Sequence, residues 1–269
     1  MKRHDFLGGL HGIYQPRTYC EIGVYVGGSL ALSRVPSVAI DPNFRIMHEV
    51  HCDLQLVRET SDDFFARESP FDHLPGGVVD LAFVDGMHLF EFALRDFMNL
   101  ERHSAWSSVV VFDDMLPRNV DEAARDRHTK DWTGDVYKLI PVLQRYRPDL
   151  EVVPLDTQPT GLVMVLGLDP ANRTLSEHYD EIITTYAVDD PQQVPEPVLD
   201  RSCAVSPELV LEASFWPDLV AGRSGQAGYD RADLRHSMEE DLALSARGTL
   251  ADWRPDGVRQ DMASAVTSG

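Results

Sequence analysis

Two short apolar runs in the second half of the chain indicate how its sheet ends. Residues 150–168 have the sequence LEVVPLDTQPTGLVMVLGL, in which the apolar runs 150–153 and 162–168 are separated by only eight residues. A crossover between parallel strands needs about a dozen residues or more, so these two runs are expected to pair as an antiparallel hairpin. A sheet of otherwise parallel strands would therefore end in one reversed strand.

Upstream of this hairpin, apolar runs alternate with helical patterns. The runs are rich in Val, Ile and Leu without regular polar alternation, which is typical of strands buried on both faces. They lie at 18–24, 37–40, 54–57, 78–84 and 109–112. Helices are predicted at 44–50, 61–67, 89–102, 118–127 and 136–146. This alternation predicts an α/β fold with a doubly wound, mostly parallel seven-stranded sheet and an antiparallel last strand.

The last part of the chain differs in composition from the rest. Residues 171–269 are acidic, lack Lys, and contain Pro-rich and Gly/Ser-rich stretches between helical patterns. We predict a ligand-binding domain at 1–170 and a mostly helical C-terminal extension at 171–269 that is partly disordered near its end. The extension could be a solvated tail, an arm that forms a homo-oligomer, or a lid over the substrate.

The overall composition argues against several classes of protein. Hydrophobic residues make up 43% of the chain, as in ordinary globular proteins, and no apolar run has the length of a membrane span. There are 24 Lys and Arg against 44 Asp and Glu, so binding to nucleic acid or to anionic lipid is not expected. Three widely spaced Cys and the lack of a signal-peptide core predict a cytoplasmic protein with reduced thiols.

A glycine-rich turn follows the first predicted strand. Residues 21–29, EIGVYVGGS, have the spacing G-x-x-x-G-G, whereas the pyrophosphate fingerprint is G-x-G-x-x-G. Such glycines let a ligand approach the backbone at the start of a helix. Asp41 ends the second strand, where an acidic residue commonly accepts hydrogen bonds from ribose hydroxyls. A tight turn and a capping Asp would give the same pattern, but together the two features favour a nucleoside cofactor without pyrophosphate, such as S-adenosylmethionine (SAM).

Three aspartates follow two other predicted strands. Asp85 begins the motif DGMH at 85–88, and Asp113 and Asp114 follow the strand at 109–112. Because the carboxyl ends of parallel strands meet at one edge of a sheet, these carboxylates are expected to converge around a cation, for which Mg²⁺ or Mn²⁺ is suited. One or two of them could instead cap the helices that follow. His88 would face the same cleft as a candidate general base.

With these motifs, residues 17–168 resemble the class I SAM-dependent methyltransferases. More narrowly, DGMH at 85–88, followed by Arg95-Asp96 and Phe112-Asp113-Asp114, resembles the metal-dependent sugar O-methyltransferases of the macrocin and mycinamicin type. The resemblance implies that Asp85, Asp113 and Asp114 hold Mg²⁺ (or Mn²⁺) and that His88 is the base. It also implies a set of SAM-binding residues, namely Glu21, Gly23, Gly27, Ser29, Asp41, Ser61 and Asp85.

The activity implied by this resemblance is methyl transfer from SAM to a hydroxyl group of a small molecule. The acceptor would carry adjacent oxygens, as in the sugar of a natural product or in a catechol-like compound. Three alternatives remain open. The chain could be a methyltransferase that acts on nitrogen or oxygen without a metal, a hydrolase that uses a metal held by the three carboxylates, or a non-catalytic module that binds a ligand.

Overall fold

A seven-stranded mixed sheet forms the centre of the protein. The computed structural model describes residues 1–224 and 229–255. The strands are β1 (Tyr19–Ile22), β2 (Ser37–Ile40), β3 (Leu54–Val57), β4 (Val79–Val84), β5 (Ser104–Phe112), β6 (Glu151–Leu155) and β7 (Leu162–Leu166). Their order across the sheet is β3-β2-β1-β4-β5-β7-β6, and β7 runs antiparallel to both of its neighbours. The predicted α/β fold, with a mostly parallel seven-stranded sheet and a reversed last strand, is confirmed.

The sheet topology places a crevice at the carboxyl ends of its central strands. The first three strands progress from β1 outward to β3, and the chain then returns to add β4 on the other side of β1. At such a reversal point the connections leave β1 and β4 in opposite directions, which opens a crevice where doubly wound sheets bind ligands. The ends of β1, β4 and β5 therefore define the region in which a site is expected.

Ten α-helices lie within the described residues. They are α1 (Arg3–Tyr14), α2 (Ser61–Phe65), α3 (Phe90–Arg102), α4 (Leu139–Tyr146), α5 (Thr174–Glu177), α6 (Tyr179–Tyr186), α7 (Glu196–Leu199), α8 (Pro207–Glu212), α9 (Phe215–Arg223) and α10 (Arg231–Leu242). Short 3₁₀ helices occur at Leu30–Leu32, Pro75–Gly77, Val136–Lys138 and Leu244–Arg247.

Two of the predicted helices are wrong. Residues 44–50 and 118–127 are irregular, because tertiary contacts take the backbone groups that a helix would use. The amides of Arg45 and Met47 donate to carbonyls of the glycine-rich turn. The carbonyl of Glu122 accepts from the amides of residues 133 and 134. The helix expected to follow the glycine-rich turn is reduced to the 3₁₀ turn Leu30–Leu32.

Helix α1 was not predicted, and it proves important for the site. Three glycines in its sequence lower its intrinsic helix propensity by about 1 kcal/mol each relative to Ala. The helix forms because one of its faces is buried, with Phe6, Leu7, Leu10 and Tyr14 in the hydrophobic cluster on one side of the sheet. Burial of these four side chains outweighs the weak propensity.

The C-terminal extension packs on both faces of the sheet. Ile182 and Tyr186 join the cluster that contains α3, whereas Phe215 and Leu234 join the cluster that contains α1. The described part of the extension is helical, as predicted. The disorder predicted near its end concerns residues 256–269, which lie outside the described residues. Over residues 1–224 and 229–255, no helix has both the length and the apolar character needed to cross a membrane.

Candidate active site

The ends of three adjacent strands bring the predicted site residues together. The last residues of β1, β4 and β5 are in register, with Ile22 opposite Val84 and Val84 opposite Phe112. The residues that follow them therefore lie side by side. The contact is tight, because a Cβ atom added to Gly23, where φ is +86°, would lie 1.8 Å from the carbonyl oxygen of Asp85. The glycine-rich turn and the Asp85 backbone thus touch directly.

Asp85, His88 and Asp114 form a cluster of potential metal ligands. One ligand atom from each of these residues lies within 4.8 Å of the other two. The His88 ring lies between the two carboxylates, with Nε2 3.0 Å from Oδ1 of Asp85 and Nδ1 3.3 Å from Oδ2 of Asp114. The predicted convergence of the two strand ends is therefore present in the structure.

The backbone of this cluster adopts unusual conformations. His88 has φ +57° and Asp114 has φ +60°, in the left-handed region that residues with a Cβ atom seldom occupy. Each such residue costs about 1–3 kcal/mol, which the surrounding structure must supply. Part of this support comes from Gly134, whose φ of +62° lets its backbone pack against the carbonyl of His88. These conformations turn both side chains toward Asp85.

Trp132 fixes the orientation of the His88 imidazole. The two rings are stacked, with 5.2 Å between their centroids and 12° between their planes. The Trp132 carbonyl lies 3.1 Å from Nδ1 of His88, so a proton on that nitrogen has an acceptor. The indole NH of Trp132 in turn donates to the Ala124 carbonyl at 2.6 Å. No motif in the sequence assigns this role to Trp132.

The charges around His88 favour its protonated form. Burial lowers the pKa of His88, but the hydrogen bond to Asp85 and the negative charges of Asp114 and Asp85 outweigh burial and leave this pKa above its ordinary value. Burial raises the pKa of the Asp114 carboxyl, and the nearby His88 opposes that change. The cluster is thus arranged to hold a positive charge between its carboxylates.

Arg3 is a site residue that sequence analysis missed. Its guanidinium, at the start of α1, bonds to Oδ2 of Asp85 at 3.3 Å and also to Oδ2 of Asp113. Asp113 is buried, and its other oxygen accepts from the amide of Asp114 at 2.9 Å. Within the described residues, Asp113 is not part of the Asp85–His88–Asp114 cluster, so its role as a metal ligand stays a prediction.

Glu21 stabilises the glycine-rich turn through a hydrogen bond to Ser29. Its side chain is fully buried, and its two carboxylate oxygens accept from the hydroxyls of Tyr19 at 2.6 Å and Ser29 at 2.8 Å. Burial raises the pKa of Glu21 to about 8, despite these hydrogen bonds. Glu21 therefore anchors Ser29 at the far end of the turn, and direct contact with SAM stays a prediction for both residues.

Asp41 organises the same turn from the end of β2. Its Oδ2 accepts from the amides of Val24 at 2.8 Å and Tyr25 at 2.7 Å, while Oδ1 accepts from the amide of Asn43 at 2.6 Å. Each carboxylate oxygen can accept two hydrogen bonds, so Oδ1 keeps capacity for a ribose hydroxyl. The predicted ribose contact of Asp41 is compatible with this arrangement and stays a prediction.

The remaining predicted cofactor residues lie around the same crevice. Gly27 has φ +79°, a conformation that favours glycine, and belongs to the turn itself. Ser61 begins α2, close after the end of β3, and its hydroxyl hydrogen-bonds Asp96 of α3. Burial raises the pKa of Asp96 to about 7. The adenine contact predicted for Ser61 stays a prediction.

A cavity of about 730 Å³ adjoins the Asp85–His88–Asp114 cluster. It is lined by residues before and at the start of α1, by the segment after β4, by the loop before α4 and by the β6–β7 connection. These residues are Lys2, Arg3, His4, Gly86, Met87, His88, Asp114, Arg127, Lys130, Asp131, Trp132, Gln158, Pro159 and Thr160. In the described part of the chain, the extension contributes none of these residues, so it is the N-terminal segment that closes one side of the cavity.

The buried Glu21 predicts a pH dependence of stability. Its pKa is about 8 in the folded chain against an ordinary value of 4.5, so the folded state retains a proton that the unfolded state loses between these values. The free energy of unfolding is therefore expected to fall as the pH rises through this interval. In Glu21→Gln this loss should be absent, a relative gain of a few kcal/mol near pH 8. Urea unfolding at several pH values measures it, and parallel profiles for the two proteins would contradict the burial argument.

No protein-family model matches this chain, and no curated protein matches it significantly. Among solved structures, it is similar to the SAH-bound methyltransferase PaMTH1 from Podospora anserina, with 12% identity and a TM-score of 0.47 over 62% of this chain and 78% of that chain. It is also similar to the O-methyltransferase TomG from Streptomyces achromogenes, in complex with SAM, with 20% identity and a TM-score of 0.44 over 62% of this chain and 80% of that chain. A third similar structure is the O-methyltransferase from Bacillus cereus in complex with SAH, with 16% identity and a TM-score of 0.43 over 61% of this chain and 80% of that chain. At such low identities and TM-scores, the functional assignment rests on the site itself.

Proposed function

We propose that this chain is a SAM-dependent O-methyltransferase that uses a divalent cation and acts on a hydroxyl group with a neighbouring oxygen. The observation that carries the proposal is the Asp85–His88–Asp114 cluster, which two adjacent strand ends bring within 4.8 Å beside the glycine-rich turn. A doubly wound sheet binds its ligands at this edge. The cluster and the turn together provide for a cation and for a nucleoside cofactor in one crevice.

The donor atoms of the cluster fit a divalent cation. The carboxylates of Asp85 and Asp114 suit Mg²⁺ and Mn²⁺. Asp85 and Asp114 are half-buried and buried, respectively, and their charges are close enough to repel each other unless a positive charge lies between them. A cation bound here would lower the pKa of the acceptor hydroxyl and fix its direction.

The proposed base is His88. A cation held by Asp85 and Asp114 would offset their charges and favour the neutral imidazole. A proton kept on Nδ1 has the Trp132 carbonyl as its acceptor, so Nε2 would then take the proton of the acceptor hydroxyl. The resulting imidazolium would donate from Nε2 to Oδ1 of Asp85, now 3.0 Å away. The stacked Trp132 ring holds the imidazole in this orientation. Methyl transfer is an in-line displacement, so the remaining task of the site is to hold the two reactants in place and to exclude water.

Chelation of the cation tests this proposal. Binding of SAM is measured by calorimetry, and transfer of labelled methyl groups to diols and catechols is measured with and without EDTA. We expect EDTA to lower the rate at least about tenfold, with recovery on addition of Mn²⁺ or Mg²⁺. Binding of SAM should persist throughout. A rate that EDTA leaves unchanged would overturn the role of the cation, and a chain that fails to bind SAM would overturn the proposal as a whole.

One observation favours a second candidate, a SAM-dependent methyltransferase that needs no metal. The guanidinium of Arg3 already contacts both Asp85 and Asp113 and so neutralises part of the negative charge of the site. In this alternative Arg3 is the permanent counter-ion of the carboxylates, and catalysis rests on proximity and orientation.

Substitution of Arg3 separates the two candidates. If a divalent cation uses the site, Arg3 competes with it, and Arg3→Gln is expected to bind Mn²⁺ about threefold to tenfold more tightly. If Arg3 is the counter-ion, the variant loses activity that Mn²⁺ does not restore. The matched control is Arg34→Gln, because the Arg34 guanidinium, within the described residues, donates only to the carbonyls of Ala31 and Ser33. Calorimetric titration measures the affinity for Mn²⁺, and initial rates with and without Mn²⁺ measure the activity.

A further inference from the structure

We infer that the acceptor carries an anionic group, a phosphate or a carboxylate, which the cations Lys2, Arg127 and Lys130 bind at the cavity beside the Asp85–His88–Asp114 cluster. This inference rests on the proposed function, because it concerns the substrate of that same site. It narrows the acceptor from any hydroxyl compound with adjacent oxygens to one that is negatively charged.

The lining of the cavity is basic although the protein as a whole is acidic. The chain has a net charge of −20 and contains only three lysines, yet Lys2 and Lys130 both line this cavity. Arg3 and Arg127 add two more positive charges to the lining, against the two carboxylates of Asp114 and Asp131. A local concentration of cations on such a surface favours an anionic ligand in that place.

Three of these cations have no carboxylate partner. Within residues 1–224 and 229–255, Lys2, Arg127 and Lys130 form no ion pair, whereas Arg3 is bonded to Asp85 and Asp113. Asp131, a carboxylate beside them in the lining, is paired with Arg118 at 2.8 Å.

Other cations near the site, in contrast to these three, are paired with carboxylates. Arg118 pairs with Glu122, Arg125 with Glu91, and Lys138 with Asp135. The protein therefore compensates most of the positive charges near the site, but among the described residues three of the four cations in the cavity lining, Lys2, Arg127 and Lys130, have no carboxylate partner. An exposed cation also keeps its water until a ligand arrives, so that its pairing with an anion costs little desolvation.

The unpaired cations come from two distant segments that meet at the cavity. Lys2 precedes α1 and its backbone lies beside Gln158 of the β6–β7 connection, whereas Arg127 and Lys130 belong to the loop before α4. A run of surface charge along one element would not produce this arrangement. The two segments instead place positive charge on separate parts of the cavity wall.

Trp132 connects the basic wall with the proposed reaction centre. One side of the indole is stacked on His88, and the guanidinium of Arg127 lies 5.7 Å from the centre of the ring system. A phosphorylated or carboxylated diol would thus present its hydroxyls to the cluster and its charge to the cations.

Matched pairs of probes that differ in charge test this inference. The sugar series is methyl glucoside, glucuronate and glucose 6-phosphate, and the catechol pair is 3,4-dihydroxybenzamide and 3,4-dihydroxybenzoate. Dissociation constants are measured by calorimetry on the full chain with SAH and Mn²⁺. We expect each anionic probe to bind about tenfold more tightly than its neutral partner in about 20 mM salt, and this advantage to shrink in about 500 mM salt. The comparison of glucuronate with glucose 6-phosphate shows which anion is preferred.

Variants of Arg127 and Lys130 test whether these two exposed cations cause the tighter binding of the anionic probes. In Arg127→Gln/Lys130→Gln, the preference for the anionic probes should fall about threefold to tenfold. Arg173→Gln, which removes an exposed charge outside the cavity lining, should leave this preference unchanged. Equal binding of neutral and anionic probes, no binding of any anionic probe, or a preference that the double variant retains would overturn the inference.

The same measurements separate this inference from the proposed function. An anionic preference without methyl transfer to any bound probe would count against the proposed function and leave the charged cavity in place. If methyl groups are transferred to neutral and anionic probes with equal efficiency, the proposed function is supported and the inference that the acceptor is anionic is refuted.

Discussion

Replacing Asp114 by asparagine is expected to lower the rate of methyl transfer at least about a hundredfold, because the substitution removes one of the two carboxylates that face His88. The fold should survive, since asparagine tolerates the backbone φ of +60° as well as aspartate does and still accepts the hydrogen bond from Thr160. Initial rates at saturating SAM and Mn²⁺, with circular dichroism as a check on folding, measure the effect.

The control for this substitution is Asp72→Asn, which makes the same chemical change at an exposed position outside the cavity lining. Its rate should match that of the wild type. If Asp114→Asn also keeps the wild-type rate, the cluster takes no part in the reaction, and the fold would remain the main support for a methyltransferase.

Replacing Gly23 by alanine is expected to destabilise the protein by about 3 kcal/mol or more. The new Cβ would lie 1.8 Å from the carbonyl oxygen of Asp85, a backbone atom held in the sheet region, and φ at this position is +86°. Relief of this overlap must move either the glycine-rich turn or Asp85. The variant should therefore also lose affinity for SAM. Urea unfolding gives the free energy, and calorimetry gives the affinity.

Gly12→Ala is the matched control for Gly23→Ala. A Cβ atom at Gly12, in the last turn of α1, meets no heavy atom within 4 Å outside the backbone of the helix itself. Alanine favours a helix over glycine, so this variant is expected to be more stable than the wild type by about 0.5–1 kcal/mol. A Gly23→Ala protein as stable as Gly12→Ala would show that the turn does not depend on close contact with Asp85.

The strands and the reversed end of the sheet could be predicted because both depend on local sequence. Buried parallel strands require apolar runs, and all seven runs contain or overlap an observed strand. The connection between β6 and β7 comprises residues 156–161, which is too short for anything but an antiparallel pair. Once the strand ends are known, the convergence of Asp85 with the pair Asp113 and Asp114 follows from the register of β4 and β5.

Other parts of the site depend on long-range contacts that local patterns do not contain. Arg3 lies 82 residues from Asp85 and 110 from Asp113, and the glycines of α1 conceal the helix that carries it. The spacing of Phe6, Leu7, Leu10 and Tyr14 was the one available signal, since these residues lie on one helical face.

The sequence also could not distinguish the roles of two adjacent aspartates. Asp113 and Asp114 follow the same strand, and only the left-handed backbone at Asp114 turns its carboxylate toward His88. The neighbouring Asp113 carboxylate is bonded to Arg3 instead. Likewise, the sequence did not show that the carboxylates of Glu21 and Asp41 bond to residues of the glycine-rich turn, and their contacts with SAM stay predictions.

Binding of Mn²⁺ to the cluster, measured by electron paramagnetic resonance in the presence of SAH, tests the proposed cation site most directly. If Asp85 and Asp114 hold a cation, the wild type is expected to bind about one Mn²⁺ per chain saturably, with binding weakened at least about tenfold in Asp114→Asn and unchanged in Asp72→Asn. Equal Mn²⁺ binding by the wild type and Asp114→Asn, or no saturable binding by the wild type, would contradict the proposed cation site.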